Sequence, residues 1–177
     1  VFETVEQVRK AGFQNMNLDA MFGVPDQSIS IWRETVKGIL QLHPEHISFY
    51  SLELAENTLF YNLYKAGKLK ITAISRDRKM YHFIIDEMRK AGLFQYEISN
   101  GAKPGFACRH NLKYWNLEEY LGLGASAHSY IDRTRFSNIA DASCYVAAME
   151  RQDILGFSGA KSGLKKEEFK GANCVDA

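Results

Sequence analysis

The sequence predicts an α/β fold in which helices alternate with strands of a parallel sheet, and three observations predict it. The phrase Arg-Lys-Ala-Gly occurs at positions 9–12 and again at 89–92, each time between a helical pattern and an apolar extended segment. A third helix–strand pair lies between the two copies, so the order reads α, β, α, β, α, β. The strands are near-continuously apolar and their loops short, as in sheets covered by helices. An open doubly wound sheet and part of a (β/α) barrel both satisfy that pattern, and periodicity does not separate them.

Val1, Val5 and Val8 recur at helical spacing; Arg9 and Lys10 suit a helix C-terminus, and Gly12 suits the left-handed residue that closes it. Met16 to Phe22 follows as a strand. Ser28 to Leu42 carries Trp32, Val36, Ile39 and Leu40 on one helical stripe, Pro44 prevents its continuation, and His46 to Leu54 is rich in strand formers. The helix ending at the second Arg-Lys-Ala-Gly should bury Tyr81, Ile84, Ile85 and Met88, with Phe94 to Ile98 extended after it. After Asn100 the style changes. Gly101, Pro104 and Gly105 read as a loop, and Asp141 caps a helix with Tyr145, Val146 and Met149 on one side. From Ser158 the chain is small, charged and aperiodic, and is expected to pack poorly.

With 177 residues, 46% of them hydrophobic, one substantial core is expected. The 22 basic and 21 acidic residues are interspersed, so no block of charge recruits nucleic acid or anionic lipid. No apolar run approaches the roughly 20 residues needed to span a bilayer. Cys108, Cys144 and Cys174 are odd in number and widely spaced, which suggests a reducing, cytoplasmic setting. The start, Val1-Phe2-Glu3-Thr4, resembles neither a signal peptide nor an initiation site, and the chain is expected to be a piece of something longer.

Asp19 interrupts an apolar strand that feeds a Gly/Pro loop. Ligands of αβ sheets bind beyond the C-terminal strand ends, where a carboxylate accepts from ribose hydroxyls; pairing with a neighbouring cation is the alternative. Glu53 is expected at the same end of the sheet, as a ligand residue or as part of a solvated loop edge before Thr58. The stretch Phe106 to Tyr130 gathers Cys108, His110, His128 and two glycines. Zinc needs three or four ligands and only two are at hand, while Ser126, His128 and Asp132 lack the strained elbow of a nucleophilic serine. Gly122-Leu123-Gly124 is too short for a dinucleotide loop and better suits a close backbone approach. Taken whole, Phe106, Tyr114, Trp115, Tyr120 and Tyr130 beside Arg109, His110, Lys113 and His128 suit a flat, anionic aromatic ligand such as a tetrapyrrole, or else an aromatic edge of the core.

Four segments, "NLDAMFGVPDQ", "HPEHISFYSLELAENTLFY", "QYEISNGAKPGFACRHNLKYW" and "YLGLGASAHSY", closely resemble radical S-adenosylmethionine (SAM) proteins related to oxygen-independent coproporphyrinogen III oxidase, best of all the HemW-type heme chaperones. The resemblance implies the C-terminal part of a partial (β/α) barrel over residues 1–100, a small α+β extension over 101–157, and an atypical tail over 158–177. It implies SAM across the strand ends and a [4Fe-4S] cluster on a Cys-x3-Cys-x2-Cys loop, which this sequence does not contain. It places the cofactor-contacting aspartate on Asp19, with weaker correspondence near Glu53 and on His128, and leaves His110 and Arg109 in the heme or substrate region. No catalytic residue is assigned by it. The implied function is heme binding and transfer to an accepting protein; the alternatives are oxidative decarboxylation of coproporphyrinogen III, or an inert αβ domain. One departure is local: Ile31 stands where the family has a polar or acidic residue three positions after the capping Ser28, which weakens the capping box.

Overall fold

The computed structural model of the chain describes residues 1–150; the tail over 158–177 and the last seven residues of the expected extension lie outside the described residues. Two units divide the chain, Val1–Cys108 and a second beginning at Arg109.

In the first unit, helix α1 (Phe2–Lys10) closes on Gly12 with φ 95°, and the long helix α4 (Ile74–Lys90) closes on Gly92 with φ 79°. A residue without Cβ takes that left-handed turn freely, so the repeated phrase is one helix stop used twice. Helix α2 (Ile29–Gln41) starts at Ser28, whose hydroxyl accepts from the Ile31 amide at 3.1 Å. Half of the capping box therefore forms without an acid at Ile31. Thr58 caps the short helix α3 (Leu59–Lys65) in the same way, accepting from the Tyr61 amide at 3.3 Å.

Strands β1 (Asn17–Phe22) and β2 (His46–Ser51) pair in parallel, as expected, with Asp19 opposite Ser48 and Phe22 opposite Ser51. The sheet is nevertheless mixed. Its order is β1-β2-β4-β3, where β3 is Phe94–Glu97 and β4 is Asn100–Ala102, and both pairings of β4 are antiparallel. β3 runs in the direction of β1 and β2, as a helix crossover delivers it, but its backbone pairs with neither. Only Ile98 and Ser99 separate β3 from β4, and so short a link joins antiparallel neighbours alone. Gly101, expected in a loop, is thus an inner-strand residue, and β4 carries the first unit past residue 100 to Cys108.

One face of the sheet supplies the core. Ala20 and Phe22 of β1 and Ile47 and Phe49 of β2, each at period two, pack against Trp32 and Val36 of α2 and Met80, Ile84 and Met88 of α4. Each such side chain contributes about 1.5–3 kcal/mol when fully buried, so this layer dominates the stability of the unit. Tyr81 and Ile85, expected on the buried face of α4, flank that stripe and are only partly buried. Below it, the buried Glu45 accepts from Arg9 at 2.7 Å, Lys103 at 3.2 Å and the Met16 amide at 3.1 Å, tying α1, β1 and the end of β4 together.

The second unit contains α5 (Arg109–Trp115), β5 (His128–Ile131), β6 (Thr134–Ser137) and α6 (Ala142–Glu150). β5 and β6 form a hairpin whose two turn residues, Asp132 and Arg133, both have positive φ, matching the twist of the strands. Asp141 caps α6 by accepting from the Cys144 amide at 2.9 Å, as expected. The buried residue of that helix is Ala148, while Val146 is exposed.

Candidate functional site

Opposite the core face, the sheet is polar. Asn17 and Asp19 alternate with apolar residues along β1, and His46 and Ser48 do so along β2. This period-two alternation departs from the near-continuously apolar strands expected from the sequence. A register irregularity between Gln95 and Glu97 brings Tyr96 and Glu97 of β3 to the same region. Asp19, Ser48 and Asn100 lie in one row across three strands, and Glu97 pairs with Asn100 at its end.

The side chains of this face are joined. His46 Nδ1 is 2.7 Å from Asn17 Oδ1, and His46 Nε2 is 2.7 Å from the Tyr96 hydroxyl. The Ser48 hydroxyl donates to Asn17 Oδ1 at 3.2 Å, and Asn17 Nδ2 donates to Asp19 Oδ1 at 2.7 Å. Tyr96 also accepts from the Cys108 amide at 3.2 Å, and Glu97 accepts from the amide nitrogen of the Asn100 side chain. Burial holds the His46 imidazole below its ordinary pKa, with the charges of Asp19 and Glu97 opposing that shift only in part. His46 is therefore neutral near pH 7.

Asp19 itself is exposed at mid-strand, not at the strand end where the sequence reading expected it. Glu53 is exposed too, two residues beyond the end of β2 and five beyond Ser48, the partner of Asp19 in the ladder. The pair shares one sheet without forming one cluster. At the C-terminal ends of β1 and β2 lies a cavity of about 370 Å³, walled by Leu52, Leu54, Tyr61 and Tyr64. Its polar side is Asp77 on α4, which accepts from the Ser51 hydroxyl at 2.6 Å. Neither Ser51 nor Asp77 was singled out from the sequence, because a serine in a strand and an acid in a helix's first turn are ordinary there.

The second unit carries the other expected residues. His110 and Arg109 are exposed on α5, and His128 is exposed on β5. The ring of His110 stands edge-on to Tyr114 at 4.9 Å, Tyr114 meets Tyr120 at 4.4 Å, and Tyr120 meets Tyr130 at 6.3 Å. Four of the aromatic-cluster residues thus form one ladder. The Gly122-Leu123-Gly124 segment is held by side chains: Ser129 accepts from the Gly122 amide at 3.0 Å, Tyr145 accepts from the Gly124 amide at 3.2 Å, and Asn138 donates to both glycine carbonyls. A Cβ on Gly122 would collide with the backbone of His128, so this glycine serves close backbone approach.

No family model matches the chain. Among curated proteins it is 41% identical to the heme chaperone HemW of Bacillus subtilis over 146 residues, covering 82% of this chain and 38% of that one. To HemW of Lactococcus lactis it is 34% identical over 173 residues, covering 97% of this chain and 46% of the relative. The chain belongs to the HemW family. It spans less than half the length of these relatives. The fold of a solved structure, the radical SAM enzyme coproporphyrinogen III oxidase HemN of Escherichia coli, matches with a TM-score of 0.64 at 18% identity, over 85% of this chain and 37% of that one. The α/β architecture with its mixed sheet is thus part of the radical SAM fold.

Two family ligands can be tested against the residues present. Among the described residues no group of three or more His, Cys, Asp or Glu side chains converges to hold a metal, so an iron–sulfur cluster does not fit here. A nucleoside does fit the polar face: Asp19 is exposed, among the described residues Asn17 engages its Oδ1 and nothing engages its Oδ2, and carboxylate oxygens accept from ribose hydroxyls.

Proposed function

We propose that this chain is a carboxyl-terminal portion of the radical SAM body of a heme-handling protein, which binds heme and passes it to an accepting protein. The observation that carries the reading is the agreement of two independent features: HemW relatives at 34–41% identity, and an exposed carboxylate, Asp19, on a polar sheet face suited to a nucleoside. In the complete protein SAM would be held in part by Asp19, with Glu53 as a further contact. The cluster would be held by residues outside this chain. Bound SAM would supply radical chemistry or a structural ligand; the residues here accept hydrogen bonds and orient it.

Heme would meet the second unit, where the exposed His110 begins the aromatic ladder and the exposed Arg109 precedes it on α5. Ring edges and faces suit a macrocycle, a guanidinium suits a propionate, and imidazole suits iron. A cytoplasmic location goes with this reading, and no helix among the described residues is long and apolar enough to cross a membrane.

The likeness to the HemN fold favours one second reading, oxidative decarboxylation of coproporphyrinogen III propionates. Anaerobic incubation of the full-length protein with SAM, a reductant and coproporphyrinogen III separates the two. The heme-transfer reading expects no vinyl product together with saturable heme binding. Vinyl-bearing product at catalytic turnover would overturn it in favour of the oxidase.

A further inference from the structure

The hydrogen bonds of the polar face have a direction that the donor inventory fixes. Ionised Asp19 only accepts, so the Asn17 amide must present its NH2 to Oδ1, at 2.7 Å. Asn17 Oδ1 is then an acceptor, and it faces both the Ser48 hydroxyl at 3.2 Å and His46 Nδ1 at 2.7 Å. His46 must donate from Nδ1. In a neutral ring Nε2 then accepts, so the Tyr96 hydroxyl donates to it at 2.7 Å while its oxygen accepts from the Cys108 amide at 3.2 Å. The relay runs from the Cys108 amide through Tyr96, His46 and Asn17 to the Asp19 carboxylate.

We propose that His46 is a positioning residue for the ligand-binding carboxylate: its Nδ1–H locks the Asn17 amide so that Asp19 Oδ1 is engaged and Oδ2 is left to accept from the vicinal hydroxyls of a nucleoside. The inference rests on the reading that Asp19 contacts the SAM ribose. Its structural support is independent of that reading. His46 and Ser48 are buried whereas Asp19 is exposed, so the rigid part of the relay lies beneath the part that faces a ligand. The groups facing the imidazole are Asn17 and Asp19 from β1 and Tyr96 and Glu97 from β3; Ser48 of its own strand bonds the same Asn17 oxygen, and Asn100 of β4 lies opposite Ser48 in the ladder. No cation faces it among the side chains named. Without the Nδ1 donor, the amide can turn its oxygen toward the carboxylate, where two acceptors repel and Asp19 loses its fixed rotamer.

The test compares His46→Ala with His46→Asn, since the Asn side-chain NH2 falls near Nδ1 of the imidazole and restores that donor alone. On this chain, the side-chain NH2 resonances of Asn17 are followed by 1H–15N NMR. Dispersed, slowly exchanging signals are expected in the wild type and His46→Asn, and averaged, fast-exchanging ones in His46→Ala. Unchanged Asn17 signals in a folded His46→Ala chain would overturn the proposal, whatever Asp19 binds. In the full-length protein, SAM affinity should fall about tenfold in His46→Ala and recover to within about threefold of wild type in His46→Asn. Equal affinities for His46→Ala and His46→Asn, with Asp19→Ala weakened, would also overturn it. Undiminished affinity in Asp19→Ala would instead sink the underlying assignment of Asp19.

Discussion

The indole nitrogen of Trp32 on α2 donates to the carbonyl oxygen of Met80 on α4 at 2.8 Å, forty-eight residues away, with both side chains inaccessible to solvent. This bond fixes the crossing of the two helices that cover the sheet. Trp32→Phe keeps an aromatic ring but removes the donor and part of the packed volume. It should cost about 2–4 kcal/mol in urea unfolding, with the slope unchanged. A loss below about 0.5 kcal/mol would mean that the two helices are held by other contacts.

Glu45 joins three segments through Arg9, Lys103 and the Met16 amide. Burial alone would raise its pKa, but the Arg9 hydrogen bond, the Met16 amide and Lys103 together outweigh it and hold the carboxyl below its ordinary 4.5. A carboxyl depressed on folding stabilises above its unfolded pKa, and that contribution is lost as pH falls from about 4.5 through the lower folded value. Glu45→Gln should cost about 1–3 kcal/mol at neutral pH and shrink the difference from wild type below that window. Parallel stability curves from pH 7 to 3 would refute the hub role.

His46 begins to titrate at a higher pH. Its folded pKa lies below the ordinary 6.5 because the neutral ring is preferred on burial, so the unfolded chain binds the proton first. Stability is full above about pH 6.5 and declines as pH falls from there to the folded value, below which it levels off. His46→Asn should flatten this step while leaving the Glu45 step in place. Chemical denaturation between pH 8 and 5 reads it directly, and a step that persists in the variant would assign it elsewhere.

Much of the first unit is legible in the sequence because its signals are local. The repeated Arg-Lys-Ala-Gly marks two helix ends, and the stripe from Trp32 to Leu40 marks the buried face of α2. β4 escapes because Asn100, Gly101 and Ala102 are poor strand formers; they are held in the sheet by the tight turn from β3 and by β2. The candidate site is half legible. Asp19 stands out as a charge in a strand, whereas Asn17, His46 and Tyr96 gain their meaning only when three strands bring them together.

In the second unit, Gly122→Ala places a methyl against the His128 backbone. The reciprocal backbone bonds between Tyr120 and Tyr130, both 2.9 Å, should open. Faster hydrogen exchange at those two amides is expected, for a local destabilisation of about 1–3 kcal/mol. Unchanged protection would show that the segment relaxes around the added methyl.

The most direct test of the account is a heme titration of this chain followed by absorbance, comparing wild type with His110→Ala and Arg109→Ala. The account predicts a shifted Soret band saturating at one heme per chain in the wild type. Affinity should fall about tenfold or more in His110→Ala and by a smaller factor in Arg109→Ala. Non-saturating uptake, or identical curves for wild type and both variants, would contradict a heme site on this part of the protein.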